Sequence, residues 1–260
     1  MRKRLIYSGL AVVAAAAVAV GGVGFAANAD DGVDASDSQT KIIGGVDADQ
    51  DYSFMASMQG SDGSHRCGAS LISPEWLIIA AHCVEGEDPS GYQFRLNTKT
   101  VSDGGEVVKP TEFVVHPDYS GGVDDLALVK LEAAAESAPV KLGSEASPGT
   151  KSRILGWGAT NPDGSGAPET LQQLDTAVVE SSKCTEIGEK DLCTDNPNGD
   201  SGACYGDSGG PQIVDDGSGG WVLIGATSRS GNGDPTCATG PSIYTNVTAY
   251  TDWINETTGA

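Results

Sequence analysis

Short apolar or alternating runs recur along this chain, none longer than nine residues, with Gly, Pro, Asn and Asp between them. They fall at 53–59, 69–72, 76–79, 93–96, 112–115, 127–131, 152–155, 171–179, 211–214 and 221–226. Runs of this length suit extended strands, and the residues between them suit tight turns. Trp76-Leu77-Ile78-Ile79 and Leu126-Ala127-Leu128-Val129 are continuously apolar, as strands covered on both faces are. Helical spacing stands out once: Val247, Tyr250, Trp253 and Ile254 predict a helix over about 247–257, packed by one face. Many short strands and one terminal helix predict an all-β sandwich or barrel. No internal repeat is visible.

The N-terminus breaks this pattern. Arg2, Lys3 and Arg4 precede an apolar stretch from Leu5 to about Phe25, and Ala27-Asn28-Ala29 fits an A-x-A cleavage site. These features predict a signal peptide over 1–29. The stretch is long enough to be a retained anchor, but the glycines at 21, 22 and 24 and the A-x-A site favour removal. Residues 30–41 are polar, carry Asp30, Asp31, Asp34 and Asp37, and cannot bury a core. The mature chain, 42–260, is expected to be secreted, extracellular and free of the membrane.

Charge narrows the class of partner. The net charge of −21 belongs to the mature chain, because the first 41 residues carry four basic and four acidic groups. Such a surface argues against nucleic acid and anionic membranes. Its simplest effect is solubility, and attraction of basic substrates is a secondary one. The six cysteines all lie after residue 41. An even number in an exported chain implies disulfides, with fifteen connectivities open on spacing alone. No C-x₂-C pair or histidine cluster suggests a metal, and no cofactor is expected.

The candidate chemistry centres on Gly206-Asp207-Ser208-Gly209-Gly210-Pro211. Small neighbours let the chain turn sharply and let a carbonyl approach bare N–H groups. A serine nucleophile needs a base and an orienting acid. The string also fits the G-x-S-x-G nucleophile elbow, whose base follows the serine in the chain. Here His65, His82 and His116 all precede Ser208, so the order is His, Asp, Ser. His82 follows the strand at 76–79, and Asp125 opens the strand at 126–129.

Ala80-Ala81-His82-Cys83, Asp125-Leu126-Ala127-Leu128 and 206–211 closely resemble the A-A-H-C, D-I-A-L and G-D-S-G-G-P motifs of the chymotrypsin/trypsin-like serine proteases. Ile42-Ile43-Gly44-Gly45, Gly156-Trp157-Gly158 and Tyr244-Thr245-Asn246-Val247 resemble further landmarks of that family, in order. The resemblance runs from Ile42 to about Thr257. It implies two six-stranded antiparallel β-barrels, about 42–144 and 148–247, with the active site in the cleft between them and a C-terminal helix. It also implies the disulfides Cys67–Cys83, Cys184–Cys193 and Cys204–Cys237. Ser208 is then the expected nucleophile, His82 the base and Asp125 its orienting acid. The N–H groups of Gly206 and Ser208 are the expected oxyanion hole.

Asp124 is a rival to Asp125. A shift of one residue reverses a strand side chain, and the family's acid directly precedes the I/L-A-L string. Asp124 is thus expected to be a solvated loop carboxylate. Residues 30–41 become an activation pro-segment cut after Lys41, and Asp207 is expected to pair with the freed amine of Ile42. Ser228 is expected to hydrogen-bond near Asp125. His65 and His116 are not expected to be catalytic. Asn246 and Asn255 fit glycosylation sequons, and the family's calcium loop looks shortened around 97–106.

The resemblance weakens at the substrate pocket. Where trypsin-like members place an Asp six residues before the serine, this chain has Gly202, followed by Ala203. Ser228-Arg229-Ser230 stands for the usual S-W-G, and Ser242 for a glycine. The pocket is expected to take small to medium neutral P1 side chains; aromatic and, through Arg229, acidic ones are the alternatives. The chain is expected to be a monomeric endopeptidase of polypeptides, activated by a separate trypsin-type protease. A catalytically silent homologue that binds through the same cleft is the other class, and it would have no physical need of an intact triad.

Overall fold

The computed structural model describes residues 42–144 and 146–259. The expected signal peptide and pro-segment, with Lys41, lie outside the described residues. The first half of the chain forms β1 (Val46–Asp47), β2 (Met55–Gly60), β3 (His65–Ser73), β4 (Trp76–Ile79), β5 (Tyr92–Leu96), β6 (Glu106–Val108), β7 (Pro110–Val115) and β8 (Ala127–Leu131). The second forms β9 (Lys141–Leu142), β10 (Lys151–Gly156), β11 (Gln172–Val179), β12 (Asp191–Thr194), β13 (Pro211–Asp215), β14 (Trp221–Ser230) and β15 (Ser242–Asn246), then the helix α1 (Thr251–Thr258).

Two sheets result. In the second, the order β11-β10-β13-β14-β15-β12 returns to β11, so six strands close a barrel. In the first, the order is β6-β5-β2-β3-β4-β8-β7, antiparallel throughout. This sheet curls without a hydrogen-bonded seam. Its two sides meet through side chains, with the Tyr92 ring of β5 at 6.1 Å from Phe113 of β7. The all-β expectation and its barrels hold in this form. Two short strands within 42–144 pair with the second sheet instead: β1 with β11, and β9 with β14.

The core follows from side-chain alternation. On β10, Ile154 packs inside the closed barrel with Leu174, Leu192, Ile224 and Tyr244. Its neighbour Leu155 faces the other way, into a cluster with Leu77, Phe94, Leu126 and Ile213 that both sheets share. Trp76, Leu77, Ile78 and Ile79 are all buried because β4 lies mid-sheet and covered. Val247, Tyr250 and Ile254 join the shared cluster, as their spacing predicts. The helix starts differently, however. Val247–Tyr250 winds as a 3₁₀ turn, with the Asn246 side chain accepting from Thr248 N at 3.2 Å, and the α-helix follows. Gly259, at φ +73°, ends it in the left-handed region.

Candidate active site

His82 sits in a 3₁₀ turn directly after β4, which the Cys67–Cys83 disulfide pins to β3. Asp125 lies just before β8, the neighbour of β4, so adjacent strand ends deliver the two side chains. Nδ1 of His82 is 2.7 Å from Asp125 Oδ2, and His82 N donates to Oδ1 at 3.0 Å. Ser228 Oγ donates to Oδ2 at 2.6 Å. Asp125 is 1% exposed. Burial alone would raise its carboxyl, but the hydrogen bonds from His82 and Ser228 outweigh it and hold the group below the usual carboxylate range.

Ser208 stands in the turn between β12 and β13. Its carbonyl accepts from Gly68 N of β3 at 2.8 Å. Gly209 lies at φ +74°, and a Cβ there would come within 2.7 Å of Ile79 Cγ1, so only glycine fits between the turn and β4. His82 and Ser208 line one cleft of about 1100 Å³. Among the described residues no hydrogen bond joins their side chains, and the N–H groups of Gly206 and Ser208 donate to no acceptor. Unbound sites commonly hold such loose geometry and tighten around substrate.

Asp207 points away from the cleft. It is 1% exposed and accepts from Gly158 N at 2.8 Å and Cys204 N at 2.9 Å. Burial, only partly offset by these bonds, pushes its carboxyl up to about 7. A methyl group at Gly156 or Gly158 would run into this carboxyl, a physical reason for glycine on both sides of Trp157. Ile42 is buried with Ile154, Ile224 and Tyr244, and Ile43 bridges to Gly202.

Of the pocket positions, Ala203, Ser228, Arg229, Ser230 and Ser242 line the cleft with His82 and Ser208. Gly202 is buried behind them, and a Cβ on it would lie 3.5 Å from Ser242 Oγ. The Cys204–Cys237 disulfide ties this wall to the Ser208 turn, and Cys184–Cys193 braces the loop before β12. Arg229 does not reach for a ligand. Its guanidinium is held by Gly122 O, Glu186 O and Asp191 Oδ2.

Two placements depart from the sequence reading. Asp124 is not a solvated loop carboxylate: it is 16% exposed and accepts from Tyr250 Oη at 2.8 Å and Lys190 Nζ at 3.2 Å. His65 does more than flank the cleft. Its Nε2 lies 2.9 Å from Gly206 O, and its Nδ1 lies 2.8 Å from Ser57 Oγ. A carbonyl only accepts, so Nε2 carries the proton, and Ser57 donates to Nδ1. Burial lowers this imidazole's proton affinity, with partial compensation from Gly206. No local motif signalled this role, since Gly206 lies 141 residues away. His116 meets the Tyr250 and Trp253 rings edge to face and does not line the cleft.

The chain is similar along most of its length to known proteins. The family model described as Trypsin matches residues 42–254. A trypsin of Saccharopolyspora erythraea is 34% identical over 230 residues, covering 83% of this chain and 97% of that protein. The anionic trypsin of Canis lupus familiaris is 31% identical over 241 residues, 86% of this chain and 92% of its own. A trypsin of Sus scrofa is 32% identical over 241 residues, with 86% and 99% covered.

Proposed function

Because the chain belongs to the trypsin family of serine endopeptidases, we propose that Ser208, His82 and Asp125 hydrolyse peptide bonds through an acyl-enzyme. The observation that carries this reading is the 2.7 Å contact of His82 with buried Asp125, at a cleft that His82 and Ser208 both line. Ser208 Oγ attacks the scissile carbonyl carbon while His82 Nε2 takes its proton. Asp125 fixes the tautomer and stabilises the imidazolium. The developing oxyanion accepts from Gly206 N–H and Ser208 N–H, donors worth a few kcal/mol each. His82 returns the proton to the leaving amine, and water then repeats the cycle on the ester.

The substrates are polypeptides with small to medium neutral P1 side chains. Ser242 over Gly202, with Ala203 beside it, gives a short floor without a carboxylate. Burying an unpaired Lys or Arg there would be costly. Arg229 is already neutralised, so it offers an acidic P1 little. The protein is exported through 1–29 and held inactive until a cut after Lys41 frees the Ile42 amine for Asp207. No described helix is long and apolar enough to cross a membrane.

A serine-reactive phosphonyl fluoride tests the central assignment. One label on Ser208, with loss of peptidase activity and no turnover by Ser208→Ala, is the expected result. Undiminished turnover by Ser208→Ala would defeat it.

A further inference from the structure

The second sheet carries a guanidinium that this chemistry does not use. Arg229 lies on β14 beside Ser228. Its Nη1 donates to Gly122 O at 2.6 Å and to Ser228 Oγ at 3.2 Å. Its Nη2 donates to Glu186 O at 3.0 Å and to Asp191 Oδ2 at 2.7 Å. The Asp191 side chain is 2% exposed and that of Arg229 24%, so the pair is sheltered from water.

In a regular strand Ser228 and Arg229 would point to opposite faces. The ladder between β14 and β15 slips between Thr227 and Arg229, and Ser228 is the extra residue. Such a bulge re-aims side chains, here letting the Arg229 guanidinium reach Ser228 Oγ while Ser228 bonds Asp125. Gly122 belongs to the loop that leads into Asp125. It sits at φ +102°, and a Cβ there would lie 3.2 Å from Arg229 Cδ, so this approach needs bare backbone.

Resting on the triad assignment above, we propose that Arg229 is a positioning residue that orients Ser228, and through it Asp125, while tying β14 to the loop that carries Asp125. A guanidinium only donates. By taking a lone pair of Ser228 Oγ, it leaves the hydroxyl proton to Asp125 Oδ2, 2.6 Å away. The cation also polarises that hydroxyl into a stronger donor. The line from Arg229 to Ser228, Asp125 and His82 therefore runs in steps of 3.2, 2.6 and 2.7 Å. Lysine, a single point charge, cannot span acceptors on separate segments.

Charge enters through the same line. A cation here opposes protonation of the base, and Asp191 offsets it. The other ionisable groups near this line are Asp124, Lys190, His116 and Tyr250 on one side and Glu85 and Tyr119 on the other. Removing Arg229's charge favours the imidazolium and moves the acid limb of kcat/KM to higher pH. Removing Asp191's charge does the reverse.

The test uses the full chain cut to expose Ile42, with a chromogenic alanyl peptide as substrate. Wild-type activity is measured first; its absence would defeat the triad assignment, not the role of Arg229. Arg229→Gln is expected to lose about tenfold in kcat, with KM nearly unchanged, by misplacing Asp125. Its acid limb moves up by about half a pH unit, and that of Asp191→Asn moves down by about as much. Arg229→Lys keeps the limb and loses kcat. Both shifts persist in a His116→Gln background. A loosened fold gives no opposite shifts, and thermal unfolding is recorded beside each profile. If Arg229→Gln fails to fold, Asp191→Asn and Arg229→Lys decide the matter. Unmoved limbs, limbs moving together, shifts lost with His116, or full kcat in Arg229→Lys would overturn the proposal.

Discussion

Asp207 meets two backbone N–H groups and almost no water, and burial lifts its carboxyl from 3.8 to about 7. While residue 41 is attached, the Ile42 nitrogen is an amide and brings no charge to this site. The folded chain then holds a proton that the unfolded chain releases near 4. Stability from this group is complete below that pH and is lost as pH rises through about 7. The span of about three pH units corresponds to ~4 kcal/mol. In the proposed activation, cutting after Lys41 reverses the sign, because an ammonium paired with Asp207 favours the carboxylate. In a Ser208→Ala background, which prevents autolysis, the uncut chain should lose more Tm between pH 4 and 8 than its Asp207→Asn variant. The cut chain should lose less than the uncut one. Calorimetry across that range checks both, and superimposable curves for the uncut parent and Asp207→Asn would contradict the account.

At the scale of elements, the proposed pocket floor lies where the start of β15 meets the turn before Ser208. Ser242 Oγ, on β15, lies 3.5 Å from where a Cβ on Gly202 would stand, in ordinary contact. Ser242→Gly should deepen the floor and shift P1 preference toward larger neutral side chains, in line with the tens-fold changes one methylene-sized difference brings. A peptide-library profile unchanged by that substitution would mean that Ser242 does not limit the pocket. Elements of this kind were unevenly legible in the sequence. The runs at 76–79 and 127–131 match β4 and β8 to the residue, because all of β4 and all of β8 but Lys130 are buried. β6 and β12 gave no such signal: Glu106-Val107-Val108 is largely uncovered, and Asp191-Leu192-Cys193-Thr194 mixes polar and apolar without a run. His82, Asp125 and Ser208 stood out because each lies in a tight local motif. The hydrogen bonds that Arg229 and Asp124 make were not legible, because their partners arrive from afar. Gly122 is 107 residues from Arg229, and Tyr250 is 126 from Asp124. Which way such side chains turn is decided by a bulge and by sheet closure, and neither leaves a local pattern.

At the scale of the whole molecule, the activating bond and the cleft that would have to cut it belong to one chain. In the proposed activation that bond follows Lys41, so self-activation needs a pocket that accepts a buried ammonium. The floor near Ala203 and Ser242 offers hydroxyls and no carboxylate. Carboxylates do line the wider cleft, at Asp62, Glu87, Asp88 and Asp234. Asp62, Asp88 and Asp234 are turned to their own loops, accepting from Ser64, Ser90 and Thr236. Exposed charges of this kind bind an ammonium weakly, because water and salt screen them. The net charge of −21 attracts basic segments at long range, which speeds encounter without supplying a partner at P1. The pro-form should therefore be stable in isolation and should need a trypsin-type protease to mature. Purified pro-form is incubated alone at several concentrations, then with catalytic trypsin, and N-terminal sequence and peptidase activity are followed together. Trypsin should release the Ile42 terminus and activity in step. An Ile42 terminus that appears without trypsin, faster at higher concentration, would show that the pocket accepts lysine. Full activity in a chain that still carries residues 30–41 would show that the Ile42–Asp207 pair is not what switches the site on.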